Sequence, residues 1–156
     1  GRGAVVQALQ ADDNVELVAM ADAFQDNVEN SLKTVQEHFE GVKKIKVNPK
    51  NLFSGFDAYK KAIDLADVVI LTTPPGFRPY HFEDAINNGK HVFMEKPVAT
   101  DPVGVRKVLE VARKAREKKL NVVVGLQRHY QQKYLDLYQK VQDGKIGKIV
   151  GGQVYW

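Results

Sequence analysis

The sequence predicts an α/β protein: a doubly wound parallel sheet that lacks its first strand in this chain, followed by the start of a second α/β domain. Three observations predict it. Short apolar, β-branched runs alternate with stretches of helical period. The links between them are short, as expected where each helix returns the chain to the same edge of a parallel sheet. Polar and charged residues follow three of the apolar runs: Asp22, Thr72-Thr73-Pro74-Pro75 and Glu95-Lys96-Pro97. In open parallel sheets that carboxyl edge is where ligands bind.

Taken in order, Gly1-Arg2-Gly3 leads into a short helix over 4–10 with Val5, Val6 and Leu9 apolar, and Asp12-Asp13-Asn14 makes a turn. Residues 15–21 read as a strand with Asp22 at its carboxyl end. Val28, Leu32, Val35 and Phe39 recur at spacings of four and three, which predicts an amphipathic helix over 27–39. Residues 41–56 have no clear period, contain Pro49 and Gly55, and read as a long connection with one short strand at 45–47. Asp57 is placed to cap a helix reaching to about Asp64. Residues 67–73 form a strongly β-branched run, expected in the middle of the sheet.

Pro74-Pro75-Gly76 breaks that run, Pro79 is suited to the first turn of a helix, and Gly89 stops that helix after Asn88. His91–Met94 is a buried strand that ends in Glu95-Lys96-Pro97. Pro97 cannot continue the ladder, and Lys96–Pro97 is a candidate cis peptide that would aim Lys96 sideways. Asp101-Pro102 starts a helix lined by Val105, Val108, Leu109, Ala112 and Ala115. A buried strand over 121–125 follows, then a helix over Gln132–Gln142, a turn bracketed by Gly144 and Gly147, and a last strand over 149–156.

Composition narrows the function classes. The chain has 156 residues, 44% hydrophobic and 27% charged, which is ordinary for one globular domain. No apolar run reaches the ~18 residues of a membrane span, and no signal-peptide pattern is present in these residues. The absence of cysteine excludes thiolate nucleophiles, disulfides and Cys-ligated zinc within the chain, and no metal site is expected. The net charge of +4 is mild. The basic clusters at 43–50 and 106–119 lack the aromatic interleaving of a nucleic-acid surface, so neither a nucleic-acid nor a membrane partner is expected.

A glycine turn, a helix, a strand and an acid make the opening unit of a dinucleotide-binding fold. Glycines let the backbone approach a pyrophosphate, and the helix N-terminus offers unpaired N–H groups to the anion. The acid accepts hydrogen bonds from the adenosine ribose. Gly3 and Asp22 stand at about the expected twenty-residue spacing. Read as Gly1-x-Gly3-x-x-Val6, the fingerprint lacks its third glycine, so Gly1 and Gly3 read as the tail of a longer loop. The strand that should precede that loop is missing as well. Without it, the runs at 15–21 and 67–73 would each lose a central neighbour and expose a row of backbone groups. The expectation is a piece of a longer chain, trimmed at both ends.

At the carboxyl edge, Asp22 reads either as a turn or cap residue or as the ribose acid; in the second case it favours NAD over NADP, because a carboxylate repels a 2′-phosphate. Thr73, Pro74 and Pro75 read as a plain strand stop or as a turn beneath the ribose and nicotinamide. His81 reads as a packing residue or as a site residue, with the adjacent helix N-terminus favouring neutral imidazole. Lys96 is the best general acid/base candidate, since lysine serves when burial or a nearby cation brings its pKa toward neutrality. Glu95 would hold the strand end or contact the cofactor. Arg128 and His129 follow the strand over 121–125 and read as a solvated loop or as crevice residues.

Together these motifs resemble the glucose–fructose oxidoreductase/inositol dehydrogenase (Gfo/Idh/MocA) family. The resemblance is carried by Gly1-Arg2-Gly3, Ala21-Asp22, Thr73-Pro74-Pro75 with His81, Gly89-Lys90-His91-Val92 leading into Glu95-Lys96-Pro97, Gln127-Arg128, and Gly144-Lys145-Ile146-Gly147. It implies an NAD-binding Rossmann domain over 1–145, with 146–156 as the first strand of a C-terminal domain that carries a substrate pocket and a homo-oligomer interface. It implies that Gly1, Arg2, Gly3, Asp22, Thr73, Pro74, Pro75, His81, Glu95, Lys96 and Pro97 contact the cofactor. It implies that Lys96 interacts with the reacting hydroxyl and the nicotinamide ribose, that Arg128 and His129 meet a sugar or polyol, and that an Asp/His pair in the second domain completes the acid/base work. The activity implied is hydride transfer between nicotinamide and a secondary alcohol or ketone carbon. Relatives occur in the cytoplasm and as exported proteins. The alternatives are an NAD-dependent glycosidase on the same scaffold and a non-catalytic NAD-binding member.

Overall fold

A computed structural model describes residues 1–41 and 43–155. The chain divides into two compact units, Gly1–Val124 and Gly125–Trp156. In the first, helix α1 (Arg2–Ala11) precedes strand β1 (Met20–Asp22) and α2 (Gln25–His38). A short 3-10 turn, Pro49–Asn51, enters β2 (Leu52–Ser54), followed by α3 (Ala58–Leu65), β3 (Val68–Leu71), α4 (Arg78–Asn87), β4 (His91–Met94), α5 (Pro102–Glu117) and β5 (Val122–Val124). The second unit holds α6 (Gln127–Tyr130) and α7 (Gln132–Gln142).

All strand pairing is parallel, as a doubly wound fold requires. The strands make two ladders: β1 beside β2, and β3-β4-β5 with β4 central. Val69 pairs with Val92, and Phe93 with Val123. Among the described residues no strand joins β1 to β3, so the two runs expected to flank a missing neighbour do lie in separate sheets.

The main core lies around the larger sheet. Leu71, Val92 and Met94 from the strands meet Phe82, Ala85 and Ile86 of α4, and Val108, Val111 and Ala115 of α5, with Ile63 closing the side. The four-residue periods of α4 and α5 put those side chains on the sheet-facing stripe. Asp101 caps α5 by accepting from the Gly104 amide at 2.8 Å. Gly89 takes φ of 72° just past α4, the left-handed conformation glycine adopts most cheaply.

Several expectations are corrected. The strand expected over 15–21 is paired as a strand only at Met20–Asp22, with a single bridge between Leu17 and Ile45 upstream. The strand expected at 45–47 is reduced to that bridge, and the real neighbour of β1 is Leu52–Ser54, inside the stretch read as irregular. Leu52-Phe53-Ser54 is too short to show a period, so only its pairing reveals it. Asp57 occupies the position before α3 but makes no cap; it pairs instead with Lys60 at 2.8 Å. Arg128 and His129 lie on a helical turn rather than in a loop. Residues 146–155 form no strand, and Val150, Val154 and Tyr155 are 93%, 92% and 83% exposed; a strand needs a partner, and none pairs with this segment here. Trp156 lies outside the described residues.

Candidate functional site

The parallel strands end on one edge of each sheet, and the predicted residues stand there because the apolar runs stop there. At the end of β4, the Glu95 amide donates to the Leu71 carbonyl at 3.0 Å, which ties the start of Glu95-Lys96-Pro97 to the end of β3. The Lys96–Pro97 peptide is cis. Lys96 and Pro97 are exposed, Glu95 half-buried. Within the same motif His91 has a structural role: its Nδ1 accepts the Asn121 amide at 2.9 Å, locking β4 to the entry of β5.

Gly1 caps the start of α1 without a side chain, and its carbonyl accepts from the Val5 amide at 3.1 Å. A Cβ built on Gly1 would stand 3.0 Å from Thr72 Oγ1, so the first turn of α1 approaches the end of β3 closely, and any larger residue there would require the Thr72 side chain to give by a few tenths of an ångström. A Cβ on Gly3 would meet nothing within 4 Å. The first turn of α1 therefore presents its free N–H groups beside the Thr72–Thr73 edge, and it contains no acid to compete with an anion. The Arg2 guanidinium reaches Thr34 of α2 at 3.5 Å.

Asp22 ends β1, half-buried. Its Oδ1 accepts from the Phe24 amide at 3.1 Å and from Asn27 Nδ2 at 3.2 Å, which fixes the carboxylate at the strand end. Its carbonyl accepts the Gly55 amide at 3.1 Å, so β2 also contributes to this corner.

Thr73 is held by α4. Its Oγ1 lies 3.1 Å from His81 Nδ1. His81 is 7% exposed and stacks on Tyr59 at 3.8 Å between ring centroids, with Phe77 at 6.1 Å on the α4 side. Burial pushes the His81 pKa down, Asp84 opposes that and Arg78 adds to it, so the ring favours its neutral form. Tyr59 donates to Asp84 Oδ2 at 2.6 Å; burial, then Asp84, drives the phenol pKa up. His81 thus touches the site through Thr73. Pro74 is exposed and Pro75 half-buried in the turn that follows.

The residue that sequence reasoning missed is Arg78. It is 3% exposed at the first position of α4. Its Nη1 donates to the Glu95 carbonyl at 2.7 Å and to the Pro97 carbonyl, and its Nη2 donates to the Thr73 carbonyl. A signal was present: a cation at a helix N-terminus opposes the helix dipole and needs another reason to be there.

In the second unit, Arg128 and His129 are exposed on α6. The Arg128 guanidinium lies 5.3 Å from the Tyr134 ring centroid, within cation–π range. Among the described residues no group of three or more His, Asp or Glu side chains is placed to hold a metal, and no helix is long and apolar enough to cross a membrane.

Comparison with known proteins gives these edges a context. A family model described as an oxidoreductase family with an NAD-binding Rossmann fold matches residues 3–126. An inositol 2-dehydrogenase of Gluconacetobacter diazotrophicus is 39% identical over 82 residues, 53% of this chain and 24% of that protein. One from Serratia proteamaculans is 32% identical over 122 residues, 78% of this chain and 33% of that protein. The crystal structure of scyllo-inositol dehydrogenase from Lactobacillus casei, with bound NAD(H) and scyllo-inositol, superposes with a TM-score of 0.65 at 25% identity, covering 96% of this chain and 40% of that one. The chain spans roughly a quarter to two-fifths of the length of these relatives.

Proposed function

This chain belongs to the Gfo/Idh/MocA oxidoreductase family, with its NAD-binding Rossmann fold, and from that premise we propose that it is the cofactor-binding part of an NAD-dependent dehydrogenase of cyclic polyols or sugars. The reaction proposed is oxidation of a secondary alcohol: its C–H leaves as hydride to NAD⁺, its O–H proton goes to a base, and a ketone and NADH result. The observation that carries the reading is the close seating of Gly1 against Thr72, which brings a free helix N-terminus to the sheet that ends in Glu95-Lys96-Pro97.

The residues fit a dinucleotide. The α1 N-terminus and the Cβ-free approach at Gly1 suit a pyrophosphate, with Arg2 and Gly3 in the same turn. Asp22, held through Oδ1, is left with Oδ2 for ribose hydroxyls, and its charge disfavours a 2′-phosphate. When bound, the nicotinamide supplies the hydride acceptor. Thr73, Pro74 and Pro75 would form the floor beneath it, with Thr73 held from behind by His81. Glu95 holds the strand end, Pro97 turns the chain, and Lys96 polarises the substrate hydroxyl and relays its proton. Arg128 and His129 join this reading as substrate-binding groups, and 146–156 as the start of a second domain that carries a homo-oligomer interface. The preference for inositol-like polyols is supported by the relatives' substrates.

The test is NADH production by the full-length protein on myo-inositol and scyllo-inositol. Lys96→Ala is expected to lower kcat by about 10²–10⁴-fold, the usual worth of a positioned acid/base, while NAD binding persists. Turnover near the wild-type rate in that variant would remove Lys96 from the chemistry.

A further inference from the structure

Arg78 combines features that a merely stabilising residue does not need. It sits in the first turn of α4, where the helix dipole disfavours a cation. It is 3% exposed, and its Nε is a buried donor that finds no partner, an arrangement that costs free energy. What the guanidinium gains in that position is a set of three backbone carbonyls. Two of them, Glu95 and Pro97, are the carbonyls on either side of Lys96. The third, Thr73, lies just past the end of β3, the strand paired with β4. A planar fork with fixed N–H directions sets the distances between such acceptors; a single ammonium on a flexible stem does not.

We propose that Arg78 is a positioning residue of the hydride-transfer site: its fork fixes the backbone on both sides of Lys96 against the Thr73 turn and so sets where the Lys96 ammonium stands. The inference rests on the reading of Lys96 as the group that acts on the substrate hydroxyl. Arg78 has no bond to Asp22, Gly1 or Gly3 among the described residues, so the adenosine end of the site is held independently of it. The same α4 turn reaches Thr73 a second time through His81. One helix start therefore sets both walls of the gap between the ends of β3 and β4.

The experiment uses the full-length protein with Arg78→Met and Arg78→Lys, assayed well below each variant's thermal midpoint. Displacing a catalytic group by about 1 Å costs on the order of 10²-fold. Arg78→Met is expected to lose about that much in kcat, while its Kd for ADP-ribose stays within about threefold of wild type. Arg78→Lys keeps the charge and part of the bonding, and is expected to recover about tenfold of the loss. A second measurement does not depend on turnover. Reductive methylation of Lys96, followed by mass spectrometry, is expected to be slowed by NAD in the wild type and in Arg78→Lys but not in Arg78→Met. Wild-type kcat in Arg78→Met, or equal NAD protection of Lys96 in all three proteins, would overturn the role of Arg78. Loss of ADP-ribose affinity in step with kcat would overturn it as well, by making Arg78 a residue of general stability. Failure of NAD to protect Lys96 in the wild type would instead overturn the reading on which the inference rests.

Discussion

The two sheets of the first unit are built from different material. The β3-β4-β5 sheet lies against a continuous apolar cluster, with Phe82, Ala85 and Ile86 of α4 at 0% exposure. The β1-β2 pair has no fully buried strand residue. It and the helices beside it are held by a few apolar contacts, at Leu9, Val28 and Val35, and by polar pins. Lys44 Nζ donates to the Leu9 carbonyl at 2.6 Å, the Asp12 carbonyl at 2.9 Å and Asp13 Oδ1 at 2.9 Å, which closes the C-terminus of α1. Asn51 Nδ2 donates to the Val18 carbonyl at 3.2 Å and binds the chain before β1 to the entry of β2. Lys96 thus stands on the densely packed half and Asp22 on the pinned half. Under the roles proposed for them, chemistry at Lys96 needs sub-ångström placement, whereas a ribose acid at Asp22 tolerates more play.

The comparison breaks most easily in the packed half. Phe82→Ala removes a side chain at 0% exposure from the centre of the cluster. It is expected to cost about 3–5 kcal/mol of stability, as large aromatic truncations in cores do. Hydrogen exchange on the full-length protein should accelerate in β3, β4, α4 and α5 well beyond the change in α1 and α2. Equal acceleration in both halves would mean that the two sheets open as one unit and that the contrast drawn from burial does not reach the energetics.

The pinned half fails differently. Lys44 is 14% exposed at its side chain, and Lys44→Met keeps the stem but strands the part-buried Leu9 carbonyl, while the exposed Asp12 carbonyl turns to water. Stranding such an acceptor costs about 1–3 kcal/mol. The loss should fall locally: exchange at the end of α1 and in β1 speeds up, and ADP-ribose binding weakens, while α5 keeps its protection. An unchanged α1 end in that variant would show that the apolar contacts at Leu9 and Val35 suffice.

These contrasts explain what could be read from the sequence. The packed half was legible because its signals are periodic and local. The Asp101-Pro102 helix start and the Gly89 stop each act within a few residues and stand where expected. The β-branched run at 67–73 does form a strand, but only over Val68–Leu71 and at the edge of its three-stranded sheet rather than in the middle, because sheet position depends on pairing and not on local composition. The pinned half was not, because long-range polar bonds leave no period. Nothing around Lys44 announces a carbonyl thirty-five residues away, and Leu52–Ser54 becomes a strand only by pairing with Met20–Asp22. The site divides the same way. Asp22 and Glu95-Lys96-Pro97 do stand at strand ends, which is all that their sequence positions imply. Arg78 and Tyr59 work through other groups and emerge only from geometry.

A pH-sensitive joint lies inside the packed half, at His81. His81 lies below its usual pKa of 6.5 chiefly because burial penalises the imidazolium. The unfolded chain takes up that proton at about 6.5 and the folded one only at lower pH. Between those values the unfolded state binds more protons, so stability rises with pH there. The contribution is fully present above the unfolded value and is lost as pH falls through it toward the folded one. His81→Phe keeps the ring between Tyr59 and Phe77 but cannot protonate. Near neutral pH the variant should be less stable, having lost the bond to Thr73, and the gap to wild type should narrow as the solution is acidified. The variant-minus-wild-type difference in denaturation midpoint cancels the remaining histidines and reads His81 alone. A difference that stays constant with pH would put the imidazole in the same protonation state folded and unfolded, and would leave Thr73 held by Arg78 on its carbonyl without a titrating partner on its hydroxyl.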